Sequence, residues 1–146
     1  MIRRVEPRIS IICLSVADLE RSVRFYRDGL GLPTTRNAAD GIVFFQTRGT
    51  CLELFPYDEL ARDIGEGFDG PRSRFSGITL AHNVRTRDEV DDVLRLAVAS
   101  GGRVEKPAQD TEWGGYSGYF SDPDGYLWEV AYGAFDFNED GSLKIT

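Results

Sequence analysis

A chain of 146 residues, 41% hydrophobic and 12% aromatic, has the length and apolar content of one globular domain or of two small halves sharing a core. Its net charge of −7 argues against a nucleic-acid partner, which would need a basic cluster, and against an anionic lipid surface. No apolar stretch approaches the ~20 residues of a membrane helix, and the opening MIRRVEPRIS lacks the apolar core of a signal peptide, so a cytoplasmic protein is expected.

ISIICLSV, from Ile9 to Val16, is short, apolar and β-branched, and predicts a strand. Asp18 suits the N-cap of a helix with Leu19, Val23, Phe25 and Tyr26 on its apolar face, which should stop at Gly29. GIVFFQTRG and TCLELFPY predict two strands joined by a turn at Gly49 and Thr50. The pattern then breaks: YDELARDIG predicts a short helix, and GEGFDGPRSRFSG a glycine-rich loop between two halves.

The order restarts with GITLAHNV, a strand, followed by a helix that Thr86 and Glu89 open as a capping box. Its apolar stripe is Val90, Val93, Leu94, Ala97 and Val98, and Gly101 and Gly102 end it. Strands are expected around Val104, over WGGYSGYF, and over YLWEVAY after the Asp-Pro-Asp-Gly turn; FDFNEDGSLKI predicts a closing hairpin turning at Asp140 and Gly141. The expected fold class is therefore α+β: two βαβββ modules, each a strand, a helix and about three strands, forming a cupped mixed β-sheet, plus a C-terminal β-hairpin. The first module spans about 8–57, a linker about 58–76, the second module about 77–133 and the hairpin about 134–146. A cup between two such modules is where a small-molecule ligand would bind.

Glu129, between Trp128 and Val130, is a carboxylate in the middle of a strand. Cys13 and Cys51 each lie in an apolar strand and read as free thiols. Trp113, Tyr116 and Tyr119 lie in or beside a glycine-rich strand; they could wall a ligand site, or the glycines could mark ordinary sheet packing and a bulge. Phe44, Phe45, Phe55 and Trp128 read as core. No phosphate loop, dinucleotide fingerprint, Ser/His/Asp set or Cys-x-x-Cys is present.

SVADLERSVRFYRDGLGL in the first half and YFSDPDGYLWEVAY in the second, in this order, resemble the vicinal-oxygen-chelate superfamily, which includes glyoxalase I, bleomycin-resistance proteins and extradiol dioxygenases; the agreement runs from Ile9 to Tyr132. The resemblance implies four ligand positions on the concave face, occupied here by Ile11, Glu53, Thr79 and Glu129. Isoleucine cannot bind a metal and threonine binds poorly, so the expectation is no cofactor. Glu53 and Glu129 with water could instead hold Mg²⁺ or Mn²⁺ weakly as metal ligands. Without a metal they become candidate catalytic residues for proton abstraction beside a carbonyl or for isomerisation, or acids bonded to Ser15, Thr79 or tyrosines. Cys13 and Thr79 join Trp113, Tyr116 and Tyr119 as candidate ligand-binding residues, while strand alternation turns His82 to the opposite face. Two functions stand: a glyoxalase-related lyase or isomerase acting on a small organic molecule, or a resistance-type protein sequestering an aromatic or planar compound without catalysis. Glyoxalase I and extradiol dioxygenase activities proper are not expected, because in their families both depend on a complete metal shell. The resemblance also implies a homodimer, with the C-terminal hairpin available to strap onto a partner.

Overall fold

The computed structural model describes residues 5–145. Strand β1 (Ile11–Val16) turns into helix α1 (Leu19–Val23), whose N-cap Asp18 accepts a hydrogen bond from the Arg21 amide at 3.0 Å. The helix continues as a π-helical turn over Arg24–Gly29. The widened turn carries the consecutive residues Phe25 and Tyr26 inward together, and both are fully buried.

Strands β2 (Val43–Phe45) and β3 (Cys51–Pro56) complete the first sheet in the order β1-β3-β2, with β1 parallel and β2 antiparallel to β3. This module has one strand fewer than expected. In the segment before β2, Asn37 and Asp40 form a reciprocal capping box around a short 3₁₀ turn (Ala38–Asp40), which spends local polar groups on a turn instead of a ladder. The chain still runs beside β2, through Gln46 N–H donating to the Pro33 carbonyl at 3.0 Å and Thr34 Oγ1 to the Phe44 carbonyl at 2.6 Å.

After helix α2 (Tyr57–Ile64) and a loop, the second module is complete. It comprises β4 (Thr79–Val84), α3 (Arg87–Ala99), β5 (Arg103–Asp110), β6 (Tyr116–Ser121) and β7 (Leu127–Tyr132), in the sheet order β4-β7-β6-β5. The expected Thr86–Glu89 capping box opens α3. Val90, Leu94 and Ala97 are buried as expected, but Val98 lies at the flank of the stripe and is exposed. The two sheets are separate ladders, not one continuous sheet. Their internal registers match: Cys13 faces Glu53 across parallel β1/β3 just as Ala81 faces Glu129 across parallel β4/β7.

Leu14, Val16, Leu52, Leu54, Val43 and Phe45 bury one face of the first sheet in the same core as Val84, Phe120 and Val130 of the second. Tyr26 joins the modules, its ring centroid 6.1 Å from those of both Phe45 and Trp128, while Phe25 lies 6.3 Å from Phe120. The Asp122–Gly125 turn reaches back to α1. Asp124 accepts from the Ala17 amide at 2.9 Å and from Ser22 Oγ at 2.7 Å. Asp122 accepts from Tyr26 Oη at 2.5 Å and from the Asp124 and Tyr126 amides.

The closing hairpin forms from β8 (Asp136–Phe137) and β9 (Leu143–Lys144), with Gly141 at φ +85° in its turn. It docks on its own chain: the Arg48 guanidinium donates to the Asp140 carbonyl, and Arg85 lies 4.2 Å over the Phe137 ring.

Candidate functional site

Strand alternation decides which side chains can meet. Leu52 and Leu54 of β3 enter the core, so Glu53 between them points from the opposite face, with Cys13 on one side and Phe44 on the other as register partners. Phe45 is fully buried, but Phe44 is on the Glu53 face and not in the core, with Arg36 5.7 Å from its ring. Desolvation raises the pKa of Glu53, assisted by the negative charge of Asp63, while a hydrogen bond from the Cys13 thiol acts against the rise. The same pairing works on the thiol: burial, then the charge and hydrogen bond of Glu53, push Cys13 up to about 11. Cys13 is thus a neutral S–H donor to a half-buried carboxyl group, not a thiolate nucleophile. Both cysteines are free.

Glu129 holds the equivalent place in β7, between Ala81 and Tyr119. Burial raises the Tyr119 pKa, and the charge of Glu129 and a hydrogen bond to it raise it further, so the phenol stays protonated. Each glutamate therefore has a protic cross-strand partner. The carboxylate that acts on Glu53 is Asp63, whereas Glu129 acts on Tyr119.

At the remaining two positions Ile11 is exposed opposite Cys51, and Thr79 is exposed at the start of β4 opposite Leu127. Among the described residues no group of three or more His, Cys, Asp or Glu side chains is placed to hold a metal ion. A hydrocarbon and a neutral hydroxyl beside two carboxylates do not fit the four-ligand shell that metal-dependent relatives use.

Tyr116 is three residues from Tyr119, and alternation carries it to the helix side, where its hydroxyl bonds Asp91 of α3 at 2.8 Å under Arg87. Trp113 precedes β6 and leans on Phe135, ring centroids 5.8 Å apart. Neither joins the glutamate faces; of the five candidate ligand-binding residues Cys13 and Tyr119 stand beside the glutamates, and Thr79 shares the Glu129 face at the end of β4. Of the glycines of WGGYSGYF, Gly114 takes a positive φ of 89° and Gly115 and Gly118 serve packing. A Cβ on Gly115 would meet the Trp113 ring at 2.0 Å, and one on Gly118 would meet Leu94 of α3 at 2.8 Å and the β5 backbone at 2.9 Å, where the β5 register shifts. Gly118→Ala should therefore cost about 1–3 kcal/mol, seen as a lower urea midpoint with an unchanged slope.

A cavity of about 470 Å³ lies beneath the C-terminal hairpin, and Thr79 and His82 line it with Arg48, Trp128 and Phe137. His82 pairs in register with Val130 and so lies on the face opposite Glu129. Sequence reasoning did not find this cavity: Arg48 sits in a turn and Phe137 in the hairpin, and no spacing signals that they meet.

The chain matches the Glyoxalase/Bleomycin resistance protein/Dioxygenase superfamily over residues 8–130. It belongs to that superfamily, the vicinal-oxygen-chelate group. A glyoxalase-related enzyme from Fulvimarina pelagi is 34% identical, with a TM-score of 0.85 over 96% of this chain and 99% of that one. The uncharacterized protein YraH of Bacillus subtilis is 32% identical over 125 residues, covering 82% of this chain and 93% of its own. A lactoylglutathione lyase from Agrobacterium tumefaciens is 28% identical, with a TM-score of 0.65 over 89% of this chain and 96% of that one. Among the described residues no helix is long and apolar enough to cross a membrane.

Proposed function

We propose that this glyoxalase-related chain binds a small organic molecule against its glutamate faces and moves a proton beside a carbonyl, as a lyase or isomerase does. The observation that carries this reading is Glu53: a half-buried carboxyl group with a raised pKa, bonded to a neutral thiol. Desolvation brings a carboxylate's proton affinity toward the range where it can both take and return a proton. Glu129 and the protonated Tyr119 supply a second acid and a phenol donor from the other module. The lyase among the structural relatives is in keeping with this chemistry. The proton moves between substrate carbon and Glu53, so no step requires a metal.

The test is solvent-deuterium exchange. Dihydroxyacetone incubated with the protein in D₂O should lose its carbon-bound proton signal faster than in buffer, and Glu53→Gln should abolish the acceleration. Exchange no faster than buffer across a panel of small α-hydroxyketones would overturn the enzymatic reading and leave sequestration.

Two copies are proposed to assemble. Among the described residues β1 and β4 each end their sheet with an unpaired edge, and Ile11 and Ile78, at or next to those edges, are exposed. Pairing these edges between copies would cover them and bring a Glu53 face beside a partner's Glu129 face. Light scattering should give twice the chain mass at micromolar concentration; a monomer there contradicts the assembly.

A further inference from the structure

The cavity beneath the hairpin borders the glutamate faces through Cys51, Thr79 and Ala81 but is lined by neither Glu53 nor Glu129. Trp128 lines it while its neighbour Glu129 points from the other side of β7. Its floor and walls are largely apolar, from Ile12, Leu52, Leu80 and Trp128, and Phe137 and Leu143 of the hairpin close it. At about 470 Å³ it falls in the range of small-molecule sites.

Its charge is unusual for this chain. The protein has 24 acidic residues against 17 Lys and Arg, yet among the described residues no Asp or Glu lines the cavity. His82 retains solvent contact, but the protein packed round its ring lowers its pKa, with Glu89 acting in the opposite sense, so near neutral pH it offers hydrogen bonds and not charge. Among the described residues Arg48 is therefore the permanent cation of the lining. One N–H is committed to the neutral Asp140 carbonyl, and a guanidinium has five. The Asp140 carboxylate, outside the lining, is held first by the Ser142 hydroxyl and amide and also feels the Arg48 charge, which helps hold its pKa down.

We propose that this cavity is a second binding site, for a small monocarboxylate with an apolar body: the carboxylate on Arg48, the carbon chain against Trp128, Leu80 and Leu143. The planar guanidinium fork suits a carboxylate, and a single cation in an apolar chamber suits one negative charge better than two.

The experiment titrates sodium decanoate, below its micellar concentration, into ¹⁵N-labelled full-length protein and follows the two indole N–H signals. Decanoate should shift the Trp128 indole and the Ser142 and Leu143 amides and leave the Trp113 indole and Tyr119 amide in place. Decanol should bind at least about 10-fold more weakly, and Arg48→Gln should weaken decanoate by about 10-fold or more, as expected when a charge-assisted hydrogen bond is lost. Because Arg48 also ties the hairpin down, Arg48→Lys is the control: it keeps the charge and a donor but loses the fork, so it should bind between the parent and Arg48→Gln. The proposal is overturned if decanoate leaves the Trp128 indole unmoved, if its shifts fall at Tyr119 instead, if decanol binds equally well, or if Arg48→Lys loses as much as Arg48→Gln.

Discussion

Asp122→Ala is expected to lower the unfolding free energy by about 3–5 kcal/mol, the range for removing one partner from a buried, charge-assisted set. Asp122 is 3% exposed, and its carboxylate accepts from Tyr26 Oη at 2.5 Å, the Tyr126 amide at 2.8 Å and the Asp124 amide at 3.0 Å. Alanine leaves all three donors without an acceptor and removes the turn's bond to Tyr26, while Asp124 keeps its own to Ala17 and Ser22. Asp122→Asn should cost far less, because its amide oxygen can still take both backbone N–H groups. The pH dependence has a defined sign. Burial raises the folded-state pKa of Asp122 above its unfolded value, although the hydrogen bonds from Tyr26 and the backbone oppose the rise. This linkage therefore favours folding below the unfolded carboxylate pKa and is lost as pH rises through the folded one. Alanine has no such linkage, so the deficit should shrink over that window. Urea unfolding at a series of pH values measures it, and a deficit that grows with pH would contradict the assignment.

That network also marks where the sequence stops being legible. Asp18, the Thr86–Glu89 box and the hairpin turn are local devices whose donors and acceptors lie within four residues, and each forms where its residue types place it. Asp-Pro-Asp-Gly reads equally well as a turn, but the hydrogen bonds of its acids to Ala17, Ser22 and Tyr26 span 96 to 107 residues, and no local pattern announces them. The unformed strand of the first module has a local cause that apolar periodicity does not register, since Asn37 and Asp40 capture each other's backbone. At the candidate site, alternation groups Cys13 with Ile11 and Cys51 with Glu53, but the pairings of Cys13 with Glu53 and of Tyr119 with Glu129 come from the strand registers. The same alternation separates Tyr116 from Tyr119, but which of the two meets Glu129 follows only once β6 has its register. Gly118 needed still more: its reason is a β5 register shift on one side and Leu94 on the other.

The equal registers of the modules bear on chemistry too. A strand carboxylate facing the parallel edge strand recurs at Glu53 and Glu129, but the edge residue differs, Cys13 in one and Ala81 in the other. The protic partner of Glu129 comes instead from the antiparallel side, as Tyr119. One frame thus produces two acids with unlike surroundings, a condition for dividing proton-transfer roles between them.

Glu53→Gln is expected to reduce proton exchange by about 10²-fold or more, the usual loss when a positioned acid–base group is removed, while an inert analogue of the carbonyl substrate should still bind. In the parent, the base form of Glu53 appears as pH rises through its raised pKa, so exchange should climb across that interval and level above it. Cys13 tests the cause of the shift. Its S–H donates to the carboxylate and holds the Glu53 pKa below where burial alone would place it. Cys13→Ala removes that donor and should move the acid limb to higher pH, whereas Cys13→Ser keeps a donor and should leave the limb close to the parent's. Carboxyl-carbon NMR of labelled Glu53 reads the same pKa without any substrate, so it separates the electrostatics of the pair from catalysis. A Cys13→Ala limb that moved to lower pH would mean that the thiol is not the donor holding Glu53, and the proton-transfer role would lose its physical basis even if exchange were observed.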